Sequence, residues 1–377
     1  MILILHNRYR AVGGEERAVA DLAALLARRG HDVEVLERSS QGLHPAQAAA
    51  GLLAGGRDPE EIAHVVRERG ARVVHAHNIH PLLGWRALAA ARAAGARTVL
   101  HLHNFRLFCA IGIAYRDGTP CFRCRRGSTH AGLRLRCRGS LPEAAVYAAA
   151  LRRQQPRLFE YVDQFAAVSD SLAMHLRDLG LPPSLTATLP NFIPDQELSS
   201  DSRAGEGEFA LAAGRLTEEK GFDTAIAAAR EAGAPLVIAG AGPDEPRLRE
   251  LASATGADVR FAGRLEPSAL AQLRRRAAVV LAPSRWEEPC PYSVLEALAA
   301  GVPVLASDRG GLPELVGEEA TLPATDGAAW TTHLSDLWGN PRLRAERGAQ
   351  ALQRARERFG EDRYYNRLMG LYEQVSP

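Results

Sequence analysis

Lysine is almost absent from this sequence. Of its 46 basic residues, Lys220 is the single lysine and the other 45 are arginines. Because 44 acidic residues balance them, the formal net charge is only +2, which argues against a nucleic-acid-binding protein or a general binder of polyanions. In a chain that uses arginine everywhere else, the one lysine is a candidate for a specific chemical role.

Long apolar runs are also missing. The longest ones are short and rich in alanine, well below the roughly 20 residues that a bilayer-spanning helix needs. Residues 1–5 look like a buried strand, with no basic n-region and with no small-residue cleavage site after them. We therefore expect a cytoplasmic protein that does not span a membrane, with peripheral contact at the inner membrane face left open.

Cysteine is scarce, and its distribution is uneven. Cys290 stands alone, whereas the other four occupy one arginine- and glycine-rich segment, at Cys109, Cys121, Cys124 and Cys137. Four thiolates in a loop with too few apolar residues to fold by burial suit a structural zinc ion. Four thiols without a metal are an open alternative, and a disulfide is disfavoured in a reducing cytosol.

The length of 377 residues favours two domains. Short apolar strand-like runs alternate with helical stretches rich in Ala and Leu, the pattern of parallel sheets wrapped by helices. Strands are predicted at 2–6, 32–37, 73–77, 98–103, 164–169 and 187–190, and then at 209–213, 235–239, 259–262, 278–282 and 302–306. We expect an α/β fold of two doubly wound domains facing a central cleft, with ligands at the carboxyl ends of strands.

A polar stretch with several glycines, 197–208, marks the expected linker between the domains. The predicted divisions are an N-terminal domain of 1–195 with a Cys- and Arg-rich insertion at 104–140, a C-terminal domain of 205–357, and a last helix, 358–377, packing back on the N-terminal domain. Because the insertion follows the strand that ends at His103, we expect it to lie over the acceptor side of the N-terminal domain.

Two glutamates spaced by seven residues follow a predicted buried strand. Glu288 lies in a proline-rich loop, and Glu296 lies about one and a half turns into the following helix. Two carboxylates so placed can accept hydrogen bonds from the hydroxyls of a sugar and of a ribose. An exposed loop acid and a helix-surface acid are the simpler alternative, but the flanking Pro, Trp and Gly residues favour a site.

A strand-to-helix turn in the second half contains Gly214, Arg215 and Lys220. Arginine offers a planar fork and lysine a compact point charge, a suitable pair for a diphosphate at a helix start. A solvated charge cluster is the alternative. Gly13 and Gly14 precede the first helix, where their amides could also approach a phosphate, although a simple tight turn explains them equally well.

Histidines collect at predicted strand ends, at His6, His75, His77, His101 and His103. The last four form two pairs spaced by two residues, so each pair shares one face of its strand. Four imidazoles at one sheet edge could bind a metal, but structural histidines are commoner. We favour His103 as the one functional histidine, because it ends its strand where the chain enters the expected cleft.

These motifs together resemble the retaining glycosyltransferases of family four, over nearly the whole chain. The most specific is Glu288-x7-Glu296 with the downstream Ala-Gly-Val-Pro-Val-Leu-Ala-Ser and with Gly-Gly-Leu-Pro-Glu ending at Glu314. The turn around Lys220, the early glycine pair and the Leu-Pro-Asn that ends at Asn191 add to the resemblance. Members of this family have the GT-B fold of two Rossmann-like domains.

The resemblance implies a role for each motif. Arg215 and Lys220 would bind the donor diphosphate. Glu296 would bind the ribose, while Glu288 would bind the transferred sugar and His103 would lie beside the reacting sugar, both as catalytic residues. The donor-binding set that the resemblance implies is Gly13, Gly14, Gly214, Arg215, Lys220, Gly263, Arg264, Ser293, Val294, Leu295 and Glu296. The expected donor is a nucleoside-diphosphate hexose, with UDP favoured over GDP.

The resemblance also implies a reaction that needs no catalytic metal. The sequence has no Asp-x-Asp motif, so Arg215, Lys220 and a helix dipole would neutralise the leaving diphosphate. The sequence departs from the family where Pro289-Cys290-Pro291 replaces the usual Gly-Phe-Gly, and the cysteine-rich insertion is not general. These departures leave the sugar and the acceptor open.

The acceptor is unidentified: an anionic, a lipid-linked or a small-molecule acceptor would each be compatible. The arginine excess of the insertion favours an anionic acceptor or a phosphate-bearing lipid headgroup at the membrane surface. Two alternatives share the fold. A nucleotide-sugar 2-epimerase would convert the donor without an acceptor, and a non-catalytic GT-B binding module would have a broken donor site. The oligomeric state is not indicated.

Overall fold

The computed structural model describes residues 1–9 and 13–375. The chain forms two compact units. Unit 1 comprises Met1–Ala114, Cys121–Pro190 and the chain from Tyr364 onward, and unit 2 comprises Tyr115–Pro120 and Asn191–Arg363. Apart from the short segment Tyr115–Pro120, the chain thus passes into unit 2 at Asn191 and returns to unit 1 within its last helix. No helix in the described ranges is long and apolar enough to cross a membrane.

Strands and helices alternate along the chain as in parallel α/β proteins. The strands are β1 (Ile2–Arg8), β2 (Val33–Ser39), β3 (Val73–Ala76), β4 (Arg97–Leu102), β5 (Tyr115–Arg116), β6 (Thr119–Pro120), β7 (Gln164–Ala167), β8 (Thr186–Thr188), β9 (Phe209–Ala213), β10 (Leu236–Ala239), β11 (Val259–Gly263), β12 (Ala277–Ala282), β13 (Val304–Ser307) and β14 (Thr321–Leu322). The helices are α1 (Gly14–Arg28), α2 (Pro45–Ala54), α3 (Pro59–Arg69), α4 (Gly84–Ala93), α5 (His130–Arg134), α6 (Leu141–Tyr161), α7 (Asp170–Leu179), α8 (Phe222–Glu231), α9 (Glu245–Thr255), α10 (Pro267–Arg275), α11 (Tyr292–Ala299), α12 (Leu312–Val316), α13 (Gly327–Gly339), α14 (Pro341–Phe359) and α15 (Glu361–Val375).

Each unit is built on one parallel six-stranded sheet. The strand order is β2-β1-β3-β4-β7-β8 in unit 1 and β11-β10-β9-β12-β13-β14 in unit 2. In unit 2 the chain works outward from β9 to one edge and then restarts at β12 beside β9, which is the doubly wound Rossmann order. Such sheets bind ligands at the carboxyl ends of the strands where the order reverses, here β9 and β12.

Buried side chains explain why these segments form these elements. Leu3, Ile4 and Leu5 of β1 are fully buried, since a parallel strand covered by helices on both faces has no solvent side. In unit 2, Trp330 of α13 is fully buried in the core that also contains residues of β9 and α8. Its indole nitrogen donates to the Pro323 carbonyl at 3.1 Å, which satisfies its one polar group.

Candidate active site

The reversal of strand order in unit 2 brings two loops together that are distant in sequence. β9 and β12 are hydrogen-bonded neighbours, so the turn after β9 and the loop after β12 leave the sheet side by side. Lys220 lies in the first loop and Glu288 in the second, and the lysine ammonium donates to Glu288 Oε1. Sequence reasoning gave these residues separate parts of the donor, but the structure places them in direct contact.

Glu288 is held from several sides. Its Oε1 also accepts a hydrogen bond from the Ser284 hydroxyl at 2.7 Å, and its carbonyl accepts one from the Gly311 amide at 2.6 Å. The residue is only 4% exposed. A buried carboxylate needs such partners, and they also fix the direction in which its oxygens point. Sequence reasoning missed Ser284, a serine in a loop with no distinguishing spacing.

Two glycines allow the loops to approach this closely. At Gly221, where φ is +67°, a Cβ would lie 2.0 Å from the Pro283 carbonyl oxygen. At Gly310, where φ is +60°, a Cβ would lie 2.2 Å from the Glu288 carbonyl oxygen. Any other residue would push the loop that carries Glu288 away from its neighbours, so the glycines after Lys220 and before Gly311 are structural requirements of the site.

The two predicted diphosphate ligands have different surroundings. The Arg215 side chain is 61% exposed, and its guanidinium donates to Glu219 Oε1 at 3.3 Å. Lys220 is 20% exposed and lies 5.4 Å from the centre of the Trp286 ring. The Trp286 indole N–H is buried and has no hydrogen-bond partner in the described part of the chain. Lys220 is therefore fixed by its neighbours, whereas Arg215 reaches into solvent.

Glu296, the predicted ribose ligand, is part of a second ion pair. It lies in α11, and its Oε2 accepts a hydrogen bond from Arg274 of α10, which is 6% exposed. The pair orients the carboxylate, because a guanidinium binds it with fixed geometry. In the same helix Val294 and Leu295 are fully buried, and their amides donate to the Pro291 carbonyl at 3.1 and 3.3 Å. The backbone amides of these two residues, predicted to bind the sugar donor, are thus already hydrogen-bonded within the helix.

The remaining predicted donor residues of unit 2 lie at strand ends or at a helix start. Gly214 directly follows β9, and Gly263 ends β11, where its carbonyl accepts a hydrogen bond from the Gly240 amide at 2.8 Å. Arg264 comes next and is exposed, and Ser293 is half-buried in the first turn of α11. All four positions belong to the carboxyl-terminal side of the sheet, where a nucleotide is expected.

In unit 1, His75 and His101, from neighbouring strands, belong to one hydrogen-bonded chain. His101 Nε2 lies 3.1 Å from the Leu189 carbonyl oxygen, which can only accept, so this nitrogen carries the proton. His101 Nδ1 must then accept from His75 Nε2 at 3.3 Å, and His75 Nδ1 from the Tyr372 hydroxyl at 2.8 Å. His75, His77 and His101 bring ring nitrogens within 4.8 Å of one another, but a metal there would break these bonds. The pair is structural.

The predicted functional histidine, His103, contacts His77 of the neighbouring strand segment. His77 Nδ1 and His103 Nε2 are 2.9 Å apart, and His103 is the half-buried member. Burial, followed by the repulsion of His101, holds the pKa of His103 well below its ordinary value, so the ring is neutral near pH 7. A neutral imidazole can donate a hydrogen bond from one nitrogen and accept one at the other.

A small polar pocket lies at the carboxyl ends of β1, β3 and β4, within unit 1. The Tyr9 hydroxyl and the Asn104 amide donate to Glu15 Oε2 at 2.8 and 3.3 Å. The Arg106 guanidinium lies 4.9 Å from the centre of the Tyr9 ring. His80 also lines the pocket; it is 9% exposed, and neither ring nitrogen has a hydrogen-bond partner among the described residues. The pocket therefore offers unused hydrogen-bonding capacity next to His103.

Sequence reasoning named His103 in this region but assigned no role to Glu15 and Arg106, the two charged residues that share the pocket. Burial raises the pKa of Glu15, and Arg106 nearby favours its charged form. The available signal was their position, since Glu15 directly follows Gly14 and Arg106 follows His103 by three residues.

The glycine pair before α1 has a local explanation. The Gly13 amide donates to Glu16 Oε2 at 2.8 Å, and Gly14 is the first residue of the helix. The Gly13 amide, which was expected to donate to a phosphate, therefore already donates to the carboxylate of Glu16. A phosphate contact at Gly13 stays a prediction that requires Glu16 to release this bond, and the preceding residues 10–12 lie outside the described ranges.

Two family models match the sequence, one in each half. The model described as Glycosyltransferase Family 4 matches residues 12–197, and the one described as Glycosyl transferases group 1 matches residues 195–354. The matches meet where the chain passes from unit 1 to unit 2.

Similar proteins extend these matches. The D-inositol 3-phosphate glycosyltransferase of Acidothermus cellulolyticus is 30% identical over 409 aligned positions, covering 96% of this chain and 86% of that protein. The putative colanic acid biosynthesis glycosyltransferase WcaL of Salmonella typhimurium is 29% identical over 223 residues. That alignment covers 55% of this chain and 54% of WcaL, so this chain matches about half the length of that relative. The crystal structure of Anabaena HepE in complex with UDP has a TM-score of 0.68 at 17% identity, with both chains fully covered, and so shares the fold.

Proposed function

Since the chain belongs to the glycosyltransferases of family four and group 1, with the GT-B fold, we propose that it is a retaining hexosyltransferase. It moves a hexose from a UDP-sugar to a hydroxyl group of an acceptor. The observation that carries this proposal is the contact between Lys220 and Glu288 at the point of unit 2 where the strand order reverses.

The chemistry of this region suits a nucleoside-diphosphate sugar. Lys220 supplies a fixed positive charge and Arg215 an exposed one, which together match the charge of a diphosphate. Glu288 and Glu296 are oriented acceptors for the hydroxyls of the sugar and the ribose. We favour UDP over GDP because HepE, a protein of the same fold, binds UDP in its crystal structure.

The same residues support a reaction without a catalytic metal. Breaking the sugar–phosphate bond adds negative charge to the leaving diphosphate, and Lys220 and Arg215 stabilise that charge. The acceptor hydroxyl attacks from the face that the diphosphate leaves, and its proton passes to the departing phosphate oxygen. Glu288 is engaged by Lys220 and Ser284, so it positions the sugar rather than attacking it.

The acceptor is proposed to use the unit 1 pocket beside His103. Glu15 and Arg106 balance each other's charge there, and Tyr9 and His80 offer neutral hydrogen-bonding groups. This combination favours a hydroxyl-bearing acceptor group over an anionic one, in contrast to what the arginine excess of the sequence suggests. His103, neutral and half-buried, is the catalytic residue that we assign to this unit.

Donor turnover tests the proposal. The purified protein is incubated with UDP-sugars and with GDP-sugars, with and without EDTA, and the released nucleoside diphosphate is measured. We expect UDP release from a UDP-hexose to persist in EDTA. A strict requirement for added Mg²⁺ or Mn²⁺ would contradict the metal-independent reaction, and conversion of the donor to its 2-epimer without UDP release would indicate an isomerase.

A further inference from the structure

The loop between β4 and α6 contains four cysteines, all of them in unit 1. We call them the cysteine cluster: Cys109, Cys121, Cys124 and Cys137. All four are half-buried, and the other three are near enough to Cys124 for a negative charge on any of them to act on its thiol. Gly132 packs against them, since a Cβ there would lie 3.5 Å from Cys124 Sγ, and its carbonyl accepts a hydrogen bond from the Cys137 amide at 3.0 Å.

Backbone amides are directed at two of the sulfurs. The amides of Ala114, Ile111 and Gly112 interact electrostatically with the Cys109 sulfur, and the amide of Gly132 does so with the Cys124 sulfur. A neutral thiol is a weak hydrogen-bond acceptor, so three amides on one sulfur are poorly used by it. A thiolate bound to a metal carries the negative charge that such amides stabilise.

Buried apolar side chains anchor only the first part of the loop around the cluster, where Phe105 and Phe108 are fully buried. Of the five described non-glycine residues with positive φ, four belong to it: Ala114, Asp117, Arg126 and Arg136. Residues in this region of φ cost roughly 1–3 kcal/mol each and persist only where the surroundings determine them. From residue 116 to residue 138, however, the loop contains seven arginines and no fully buried apolar side chain, so apolar burial does not offset that cost there.

We propose that the cysteine cluster binds one structural Zn²⁺ ion through four thiolates. The ion displaces four protons from the four thiols, giving a Zn(S-Cys)₄ centre of net charge −2, which offsets part of the arginine charge. Zinc is the ion that such an all-sulfur tetrahedral set selects in structural sites. Among the described residues only His75, His77 and His101 bring three ligand atoms within 4.8 Å of one another, so binding the ion requires the cysteine side chains to turn inward to Zn–S distances of about 2.3 Å.

This proposal is independent of the proposed transferase activity, and metal content tests it. The full chain, purified without a metal-affinity step and with a reductant present, is analysed for zinc. We expect about one Zn²⁺ per chain, lost in the double variant Cys121→Ser/Cys124→Ser and retained in Cys290→Ala, whose thiol lies outside the cluster. Zinc retained by the double variant, or lost only when His75 and His101 are changed, would place the metal elsewhere.

A second measurement keeps the proposal testable if the double variant does not fold. A thiol-reactive mercurial is titrated into the wild-type chain while a chromogenic chelator reports free zinc. Release of one zinc as about four thiols react is the expected result. Four thiols that react without zinc release, or cysteines found as disulfides under reducing conditions, would overturn the assignment.

Discussion

At the scale of single residues, donor binding is concentrated on the contact between Lys220 and Glu288. Lys220→Ala removes the cation that contacts Glu288 and leaves this buried carboxylate without its charged partner. We expect UDP affinity to fall by on the order of 2–4 kcal/mol, because the lost interaction is charge-assisted on both sides. Isothermal titration with UDP measures this directly.

A matched variant controls for the loss of one positive charge. Arg342 is an exposed cation of unit 2 whose ion pair with Glu346 lies along α14, so Arg342→Ala should leave UDP affinity unchanged. Equal affinity in the Lys220 and Arg342 variants would show that the lysine is not a donor ligand.

Residue identities were predictable where composition or spacing made them stand out. Lys220 is the only lysine, and Glu288 and Glu296 have a distinctive spacing. Arg274 was not predictable, because it is one arginine among 45 and becomes significant only by its burial against Glu296. Contact between Lys220 and Glu288, 68 positions apart, depends on the order of strands in the sheet, which local sequence does not encode.

At the scale of elements, the approach of the β9 and β12 loops depends on Gly221. In Gly221→Ala the new Cβ meets the Pro283 carbonyl oxygen, and the loop that carries Glu288 must move. Gly233→Ala is the matched control, since Gly233 has nearly the same φ, +63°, but nothing within 4 Å of the new Cβ. Both variants pay the cost of a left-handed alanine, roughly 1 kcal/mol. We expect only Gly221→Ala to weaken UDP binding, by about tenfold or more; equal binding by the two variants would contradict the packing of the loops.

Long buried strands were predictable and very short ones were not. The predicted strands end within two residues of those observed, because strands covered on both faces are continuous apolar runs bounded by turns. Two-residue strands such as β5, β6 and β14 were missed, since pairs like Thr321–Leu322 have no periodicity to detect. Their pairing depends on neighbours that folding brings into place.

At the scale of the whole molecule, the buried histidines of unit 1 make stability depend on pH. Burial lowers the pKa of His80 to about 3 and that of His101 to about 4, and it lowers the pKa values of His75, His77 and His103 as well. Between these values and the ordinary value near 6.5, the unfolded chain binds more protons than the folded chain. The free energy of unfolding therefore falls as the pH falls through this window, by about 1.4 kcal/mol per pH unit for each such histidine.

Urea unfolding at pH 7.5, 6.5 and 5.5 measures this dependence. We expect the midpoint to fall steeply below pH 6.5 and the slope to be shallower in His80→Asn, which removes one of the titrating groups. His64→Asn, at an exposed position of α3, should keep the wild-type slope. A midpoint independent of pH between 7.5 and 5.5 would contradict neutral, buried histidines.

The transfer reaction itself is tested most directly by the stereochemistry of its product. The protein is incubated with an α-linked UDP-hexose and EDTA, and water serves as the acceptor because the natural one is unidentified. Proton NMR then identifies the anomer of the released sugar before it mutarotates. The proposed retaining transferase predicts that the α-anomer appears first together with UDP, and that Lys220→Ala slows the appearance of both. Initial release of the β-anomer would contradict retention. If no donor tested yields UDP or free sugar, the proposal that the chain is a glycosyltransferase enzyme is contradicted.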